Sequence, residues 1–210
     1  MTTRPGWYQF LFAWIMAHGT ASYEAAVSDR KQALFADLQG TVLEIGPGAG
    51  ANFSYYPSSI QWIGVEPNPF MHSYLWKRAG QQGIQLQIQS GSAETLEAED
   101  GSIDAVVSTL VLCSVENLEG TLQEILRVLK PGGTFYFVEH IAAPPQTLLR
   151  RIQGWLNPMW HIIGDGCCLH RETGSVIDAA GFEQVTYDRF RAPVPPIVSP
   201  QIIGRAIKSR

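Results

Sequence analysis

The sequence has little that would commit it to a nucleic acid, a disulfide framework or a membrane span. Its 210 residues carry a net charge of −4, with Lys and Arg scattered along the chain. That distribution lacks the basic stripe or patch of a nucleic-acid binder. Three cysteines, an odd number in a chain of this size, do not form a disulfide framework and read as reduced thiols of a cytoplasmic protein. No tract is of low complexity and no segment repeats. The apolar run from Trp7 to Ala17, broken only at Gln9, is too short for a membrane-crossing helix, which takes about 20 residues. Arg4 before the run loosely imitates a signal peptide. The reading preferred here is a helix that covers an active site, with weak contact to a membrane surface as the second reading. Length alone fits one domain with a full core.

What is present centres on Thr41-Val42-Leu43-Glu44-Ile45-Gly46-Pro47-Gly48-Ala49-Gly50. Val42, Leu43 and Ile45 suit a strand buried on both faces. Gly46, Gly48 and Gly50 then allow a tight turn and close approach of a ligand to the backbone. The following residues, Asn52 and Phe53 first, can begin a helix whose free N–H groups face that turn. A second acid, Glu66, ends the next apolar run from Ile60 to Val65, where it is placed to accept hydrogen bonds from ribose hydroxyls. The third glycine of a dinucleotide fingerprint is missing: Ala51 and Asn52 stand near its place. Glu44, an acid at the strand end, points to a ligand bearing a cation, such as the ammonium of a methionine moiety.

Along the chain, strands are expected at 60–65, 84–89, 103–109, 134–139, 182–188 and 202–207, the last antiparallel. Helices are expected at 22–38, 70–79 and 116–129, and one beginning at Arg171 and ending before Gly181. Lys130-Pro131-Gly132-Gly133 reads as a helix stop. The expected fold is α/β: a doubly wound, Rossmann-like sheet of seven mostly parallel strands. Residues 1–39 would be covering helices and 40–210 the catalytic domain. Pro67 and Asn68 would lie beside ribose and adenine. Ser92, Ala93 and Glu94 would meet the adenine edge, and Thr109, Leu110 and Ser114 lie at the carboxyl edge of the sheet, where such folds bind ligands.

The pattern Glu44-x-Gly-x-Gly-x-Gly50 followed by Glu66, with the run from Leu126 to Glu139, resembles the class I S-adenosylmethionine-dependent methyltransferases. Val107 to Val115, Phe135 to His140, His161 to Thr173 and Ile202 to Lys208 are similar to the methyltransferase-like family seven proteins, which are thiol S-methyltransferases attached to endoplasmic reticulum and lipid droplets. That resemblance runs from about Tyr23 to Lys208. It implies S-adenosylmethionine as cofactor, S-adenosylhomocysteine as product and a small lipophilic thiol as methyl acceptor. Of that family's long N-terminal anchor only the Trp7–Ala17 segment has a counterpart. The family's acid after the third strand falls near Ala93, so its role would pass to Glu94 or be lost.

A thiol must become a thiolate before it attacks a methyl group, so a base is sought. His140, one residue past the fifth strand, and Asp165 are the candidates. Tyr23 is placed to close over the cofactor. Trp14, His161 and Cys168 would line the acceptor site, within an apolar pocket built by Trp7, Phe10, Phe12 and Trp14 together with Trp155, Pro158, Met159 and Trp160. Cys167, Cys168 and His170 lack the spacing of a structural zinc site, and no metal is expected. Two alternatives stay open: methylation of oxygen, nitrogen or carbon on a quinone, lipid or other metabolite, and a non-catalytic membrane-associated binding protein. Oligomeric state is not legible.

Overall fold

A computed structural model describes residues 4–210. Two helices, α1 (Gly6–His18) and α2 (Ala21–Phe35), precede the alternating core: β1 (Thr41–Ile45), β2 (Gln61–Val65), α3 (Pro69–Gln82), β3 (Leu86–Gln89), β4 (Ile103–Thr109), α4 (Leu118–Val128), β5 (Leu129–His140), α5 (Leu148–Ile163), α6 (Thr173–Ala179), β6 (Gln184–Arg191) and β7 (Pro200–Ile207). The strands form one sheet in the order β3-β2-β1-β4-β5-β7-β6. β1 to β5 are parallel, and β7 is antiparallel to both β5 and β6. The order reverses between β1 and β4, which leaves a crevice beyond their carboxyl ends.

Alternation along the central strands builds two cores. Leu43, Ile45, Val106, Phe135 and Phe137 pack on one face with Leu122 and Ile125 of α4. Val42, Ala105, Val107 and Tyr136 pack on the other with Phe35, Phe53, Trp62 and Leu75.

Three local expectations are corrected. The segment after the glycine turn is only a 3₁₀ turn, Ala51–Tyr55. Tyr56 precedes Pro57 and takes extended geometry, φ −86° and ψ 138°, because proline disfavours the helical region in the residue before it. The Lys-Pro-Gly-Gly segment begins β5 instead of forming a separate turn. The third is α5, for which no helix is expected from the sequence. It starts where Thr147 accepts a hydrogen bond from Arg150 N, and it contains Pro158.

Candidate active site

The glycine turn holds Gly46 and Gly48 at φ +57° and +56°. A Cβ on Gly46 would lie 2.5 Å from Val111 Cγ2, whereas one on Gly48 would meet nothing within 4 Å. The turn is therefore packed at its start and open at its middle. Glu66, buried at the end of β2, joins two turns: its carboxylate accepts from Gly48 N and Asn68 N, each at 2.9 Å. Burial outweighs those two bonds and pushes the Glu66 carboxyl up to about 7. Asn68 caps α3 by accepting from Phe70 N at 3.0 Å and donates to Gln9 O of α1, also at 3.0 Å. Ala13 of α1 packs against Ala49 and Met71. Thus α1 lies across the glycine turn.

Glu44 has a different task from the one expected. Its two oxygens accept from Asn52 Nδ2 at 2.7 Å and Trp62 Nε1 at 2.9 Å, and burial raises its pKa. The carboxylate faces protein donors under the turn, because alternation along β1 puts position 44 on the same face as Val42. Phe53 is likewise core, edge-on to Trp62. Asn52 Nδ2 also reaches Thr109 Oγ1 at 3.0 Å, while Asn52 Oδ1 is buried with no hydrogen-bond partner.

The loop after β4 is held from three sides. Leu110 sits at φ +59° and donates to Val138 O at 2.8 Å. Glu139, fully buried, accepts from Ser108 Oγ, from Val111 N at 3.3 Å and from Leu112 N at 3.0 Å; burial pushes its carboxyl up to about 8. Arg171 Nη1 donates to Leu112 O at 2.7 Å and Val115 O at 2.6 Å. The sequence reading assigned no task to Glu139 or Arg171. An acid closing β5, like the acids closing β1 and β2, was the signal for the first.

His140, expected as a candidate base one residue past the fifth strand, is instead the last residue of β5 and is buried. Its Nε2 lies 3.2 Å from Ile197 O, so that nitrogen carries the proton and donates. Donor atoms of Cys113, His140 and Cys167 all lie within 4.8 Å of one another. The hydrogen bond between the two thiols pushes Cys167 down and Cys113 up. Cys168 stands outside this cluster, its sulfur 3.9 Å from His170 Nδ1.

Ser92 and Glu94 bond each other through their side chains, and Glu94 also accepts from Glu116 N at 2.9 Å. Burial of Glu94 opposes ionisation, but these bonds outweigh it and the pKa falls. Glu94 therefore fastens the post-β3 loop to the approach of α4, and Ala93 packs at the edge of the core. Each Glu94 oxygen has one protein partner, which fixes the carboxylate in the loop.

At the other side, α1 meets the end of α5. Arg4 pairs with Asp165 at 3.7 Å and donates to His161 O at 3.1 Å. Tyr8 donates to Ile163 O and accepts from Asp165 N, both at 3.1 Å. Asp165 is half-buried with φ +49°, and burial raises its pKa. Its charge adds to the upward shift at Glu66.

Residues 43–137 match the family described as a methyltransferase domain. The chain is 37% identical to human thiol S-methyltransferase TMT1A over 94% of its own length and 86% of the relative's. With the rat thiol S-methyltransferase TMT1B it shares 39% over the same coverage. The chain belongs to the TMT1 methyltransferase family. Among solved structures, the [4+2]-cyclase SpnF superposes with a TM-score of 0.72 at 16% identity, covering 97% of this chain and 94% of that one; this likeness shows the fold alone.

As a TMT1 family member the chain is a methyltransferase that uses S-adenosylmethionine. The residues present fit that cofactor. The Gly48 position leaves room for a ligand against the backbone, Glu66 keeps lone pairs for ribose hydroxyls beside its two N–H bonds, and Asn52 Oδ1 is a buried acceptor without a donor. Gly46, Pro47, Gly50, Pro67 and Asn68 shape the two turns around this space. Ser114 donates its N–H to Val111 O at 2.8 Å and so closes the post-β4 turn. Tyr23 donates to Gln201 Oε1 at 2.9 Å and packs in a small cluster with Val27 and Ala192, a core position. Trp14 does not line an inner pocket: it is exposed and stacked on His18. His161 is exposed too. Trp7, Phe10, Trp155 and Met159 also face outward, so the expected aromatic pocket is instead an outer surface.

Proposed function

We propose that this enzyme transfers the methyl group of S-adenosylmethionine to the sulfur of a small lipophilic thiol while resting on a lipid surface. The observation that carries the acceptor class is the identity to thiol S-methyltransferases over nearly the whole chain. S-adenosylmethionine supplies a methyl group on a positively charged sulfur. The chain's own residues do the rest. Glu66 holds the ribose, the open turn at Gly48 admits the cofactor, and α1 shields the reacting atoms from water. Asp165, half-buried with a raised pKa, takes the thiol proton.

The lipid surface rests on the placement of exposed apolar side chains. Among the described residues, apart from Phe70 and Trp76, the large hydrophobic side chains that remain exposed belong to α1 and α5. Leu148, Ile152, Trp155, Met159 and Ile162 recur at helical spacing on α5, and that stripe faces outward, with Trp155 81% exposed. An apolar stripe at this spacing normally faces a core. No described helix is long and apolar enough to cross a membrane, so these helices would lie in the interface.

The test is turnover of methyl-labelled cofactor with small thiols, hydrosulfide included, against alcohols and amines of matched shape. Label confined to thiols is expected; label on alcohols or amines alone would overturn the acceptor assignment. Asp165→Asn should slow alkyl thiols about 100-fold, within the usual range for a general base, and slow acidic aryl thiols, already ionised, far less.

A further inference from the structure

Among the described residues, Cys113, His140 and Cys167 form the group whose donor atoms converge as metal ligands would. They come from the loop after β4, the end of β5 and the loop after α5. All three are buried. We propose that they bind one zinc ion through two thiolates and one imidazole, with the fourth position left to a small exchangeable ligand.

The geometry suits that ion. Zinc bonds of about 2.3 Å to sulfur and 2.0 Å to nitrogen place tetrahedral ligand atoms about 3.5–4 Å apart. The donor atoms here lie within 4.8 Å of one another, so the site needs only a small contraction. The cluster is also held before any ion arrives. Cys168 N donates to Cys113 O at 2.8 Å, and Cys167 N to Gly164 O at 3.0 Å. Gly166, at φ +90°, brings the loop against Ser114, whose carbonyl oxygen would lie 3.2 Å from a Cβ there.

The imidazole supplies the second, independent observation. Its Nε2 donates to Ile197 O at 3.2 Å, which leaves Nδ1 with a free lone pair. Nδ1 is buried and has no hydrogen-bond partner, in a residue only 2% exposed. A histidine that gives one ring N–H to a backbone carbonyl and presents the other nitrogen, bare, is the arrangement found around bound metals. Trp160 Nε1 is a buried donor with no partner of its own; it lies beside Cys167, where it can donate to a zinc-bound sulfur. Two sulfurs and a nitrogen favour zinc over magnesium or calcium, which require oxygen ligands. Binding releases the two thiol protons to solvent and forms two zinc–sulfur bonds, with no change of oxidation state. The ion would tie the loop carrying Asp165 to the post-β4 loop, which explains why three distant segments meet there.

The test uses the full-length protein purified under reducing conditions. Elemental analysis should find about one zinc per chain, and replacement by cobalt should give the near-ultraviolet charge-transfer band of cobalt thiolates. Cys113→Ser and Cys167→Ser should each lose the band, and His140→Ala should weaken metal binding by at least tenfold. Cys168→Ala with His170→Ala, removing the adjacent pair, should leave both signals intact. A second measurement uses the wild-type protein and so does not depend on the folding of the ligand variants: zinc should protect two thiols from alkylation, and a chelator should expose them. Folded, reduced protein with no zinc and no cobalt band would overturn the site. So would a Cys113–Cys167 disulfide that forms under mild oxidant at the same rate with and without zinc. None of these readings depends on which acceptor is methylated.

Discussion

Gly46 and Gly48 have nearly the same backbone angle, yet a side chain at each meets a different fate. Gly46→Ala drives a methyl group into Val111 and strains a positive φ, together about 2–4 kcal/mol. The melting temperature should fall by roughly 6–12 °C, measured by thermal unfolding. Gly48→Val meets only open space; it should cost the fold about 1–2 kcal/mol but weaken S-adenosylmethionine binding about 100-fold, or ~2.7 kcal/mol, by calorimetry. Equal affinity in the Gly48 variant would remove the turn from the cofactor site. Glu66 makes a prediction about pH. Its pKa of about 7 in the folded protein lies above the unfolded value of about 4.3, so the native state retains a proton that the unfolded chain gives up. Between those values its contribution to stability therefore falls as pH rises. Ribose hydroxyls need the ionised form as acceptor, so cofactor affinity should rise from pH 6 to pH 8 and level off. Titrations in buffers of different ionisation enthalpy should detect proton release on binding below pH 7, and Glu66→Gln should abolish both effects.

At the level of elements, the proposal that α1 governs access to the cofactor site can be tested at its buried face. Ala13 is buried on Ala49 and Met71, so Ala13→Glu places a carboxylate where no partner is prepared and should lift the helix. The expected outcome is a faster release of cofactor, about tenfold, equivalent to ~1.4 kcal/mol, with new protease cleavage before Ala21 and little change in sheet stability. Unchanged release, by stopped-flow displacement, would show that α1 is not a cover. The sheet was legible from sequence because each central strand is a short apolar run bounded by turn residues, and its acids mark where the strands end. The position of Glu66, at the end of β2 and bonded to the glycine turn, could be read because its spacing from the glycines is a local pattern. Glu44 was misread because spacing does not say which face of β1 a side chain takes; its neighbours Asn52 and Trp62 do. The joining of Cys113, His140 and Cys167 was not legible at all, since it depends on two loops folding back on the sheet edge. The adjacent Cys167-Cys168 pair drew attention to the wrong partner. For α5, the stripe itself was readable, but its outward direction follows from the opposite face, where Gln153 accepts from Ala143 N and donates to Ile197 O, and Asn157 accepts from Leu169 N.

For the whole molecule, two helices present most of the exposed large apolar side chains, whereas the rest of the surface is ordinary. Trp155→Glu removes one large side chain from that face without touching the core. Burial of such a side chain is worth about 1.5–3 kcal/mol, so binding to phosphatidylcholine vesicles in flotation should fall about tenfold or more. The circular dichroism spectrum and turnover of a water-soluble thiol should not change. Vesicle binding that survives this change and Trp7→Glu together would assign the apolar face to another use. The long reach between Tyr8 and Ile163 has a consequence for how the chain is made. The α1 helix leaves the ribosome before α5, and part of its docking site is synthesised 155 residues after it. At about 5–20 residues per second, the most apolar segment waits roughly 8–30 s for its protein partner, long enough for a bilayer or a chaperone to hold it before the enzyme exists.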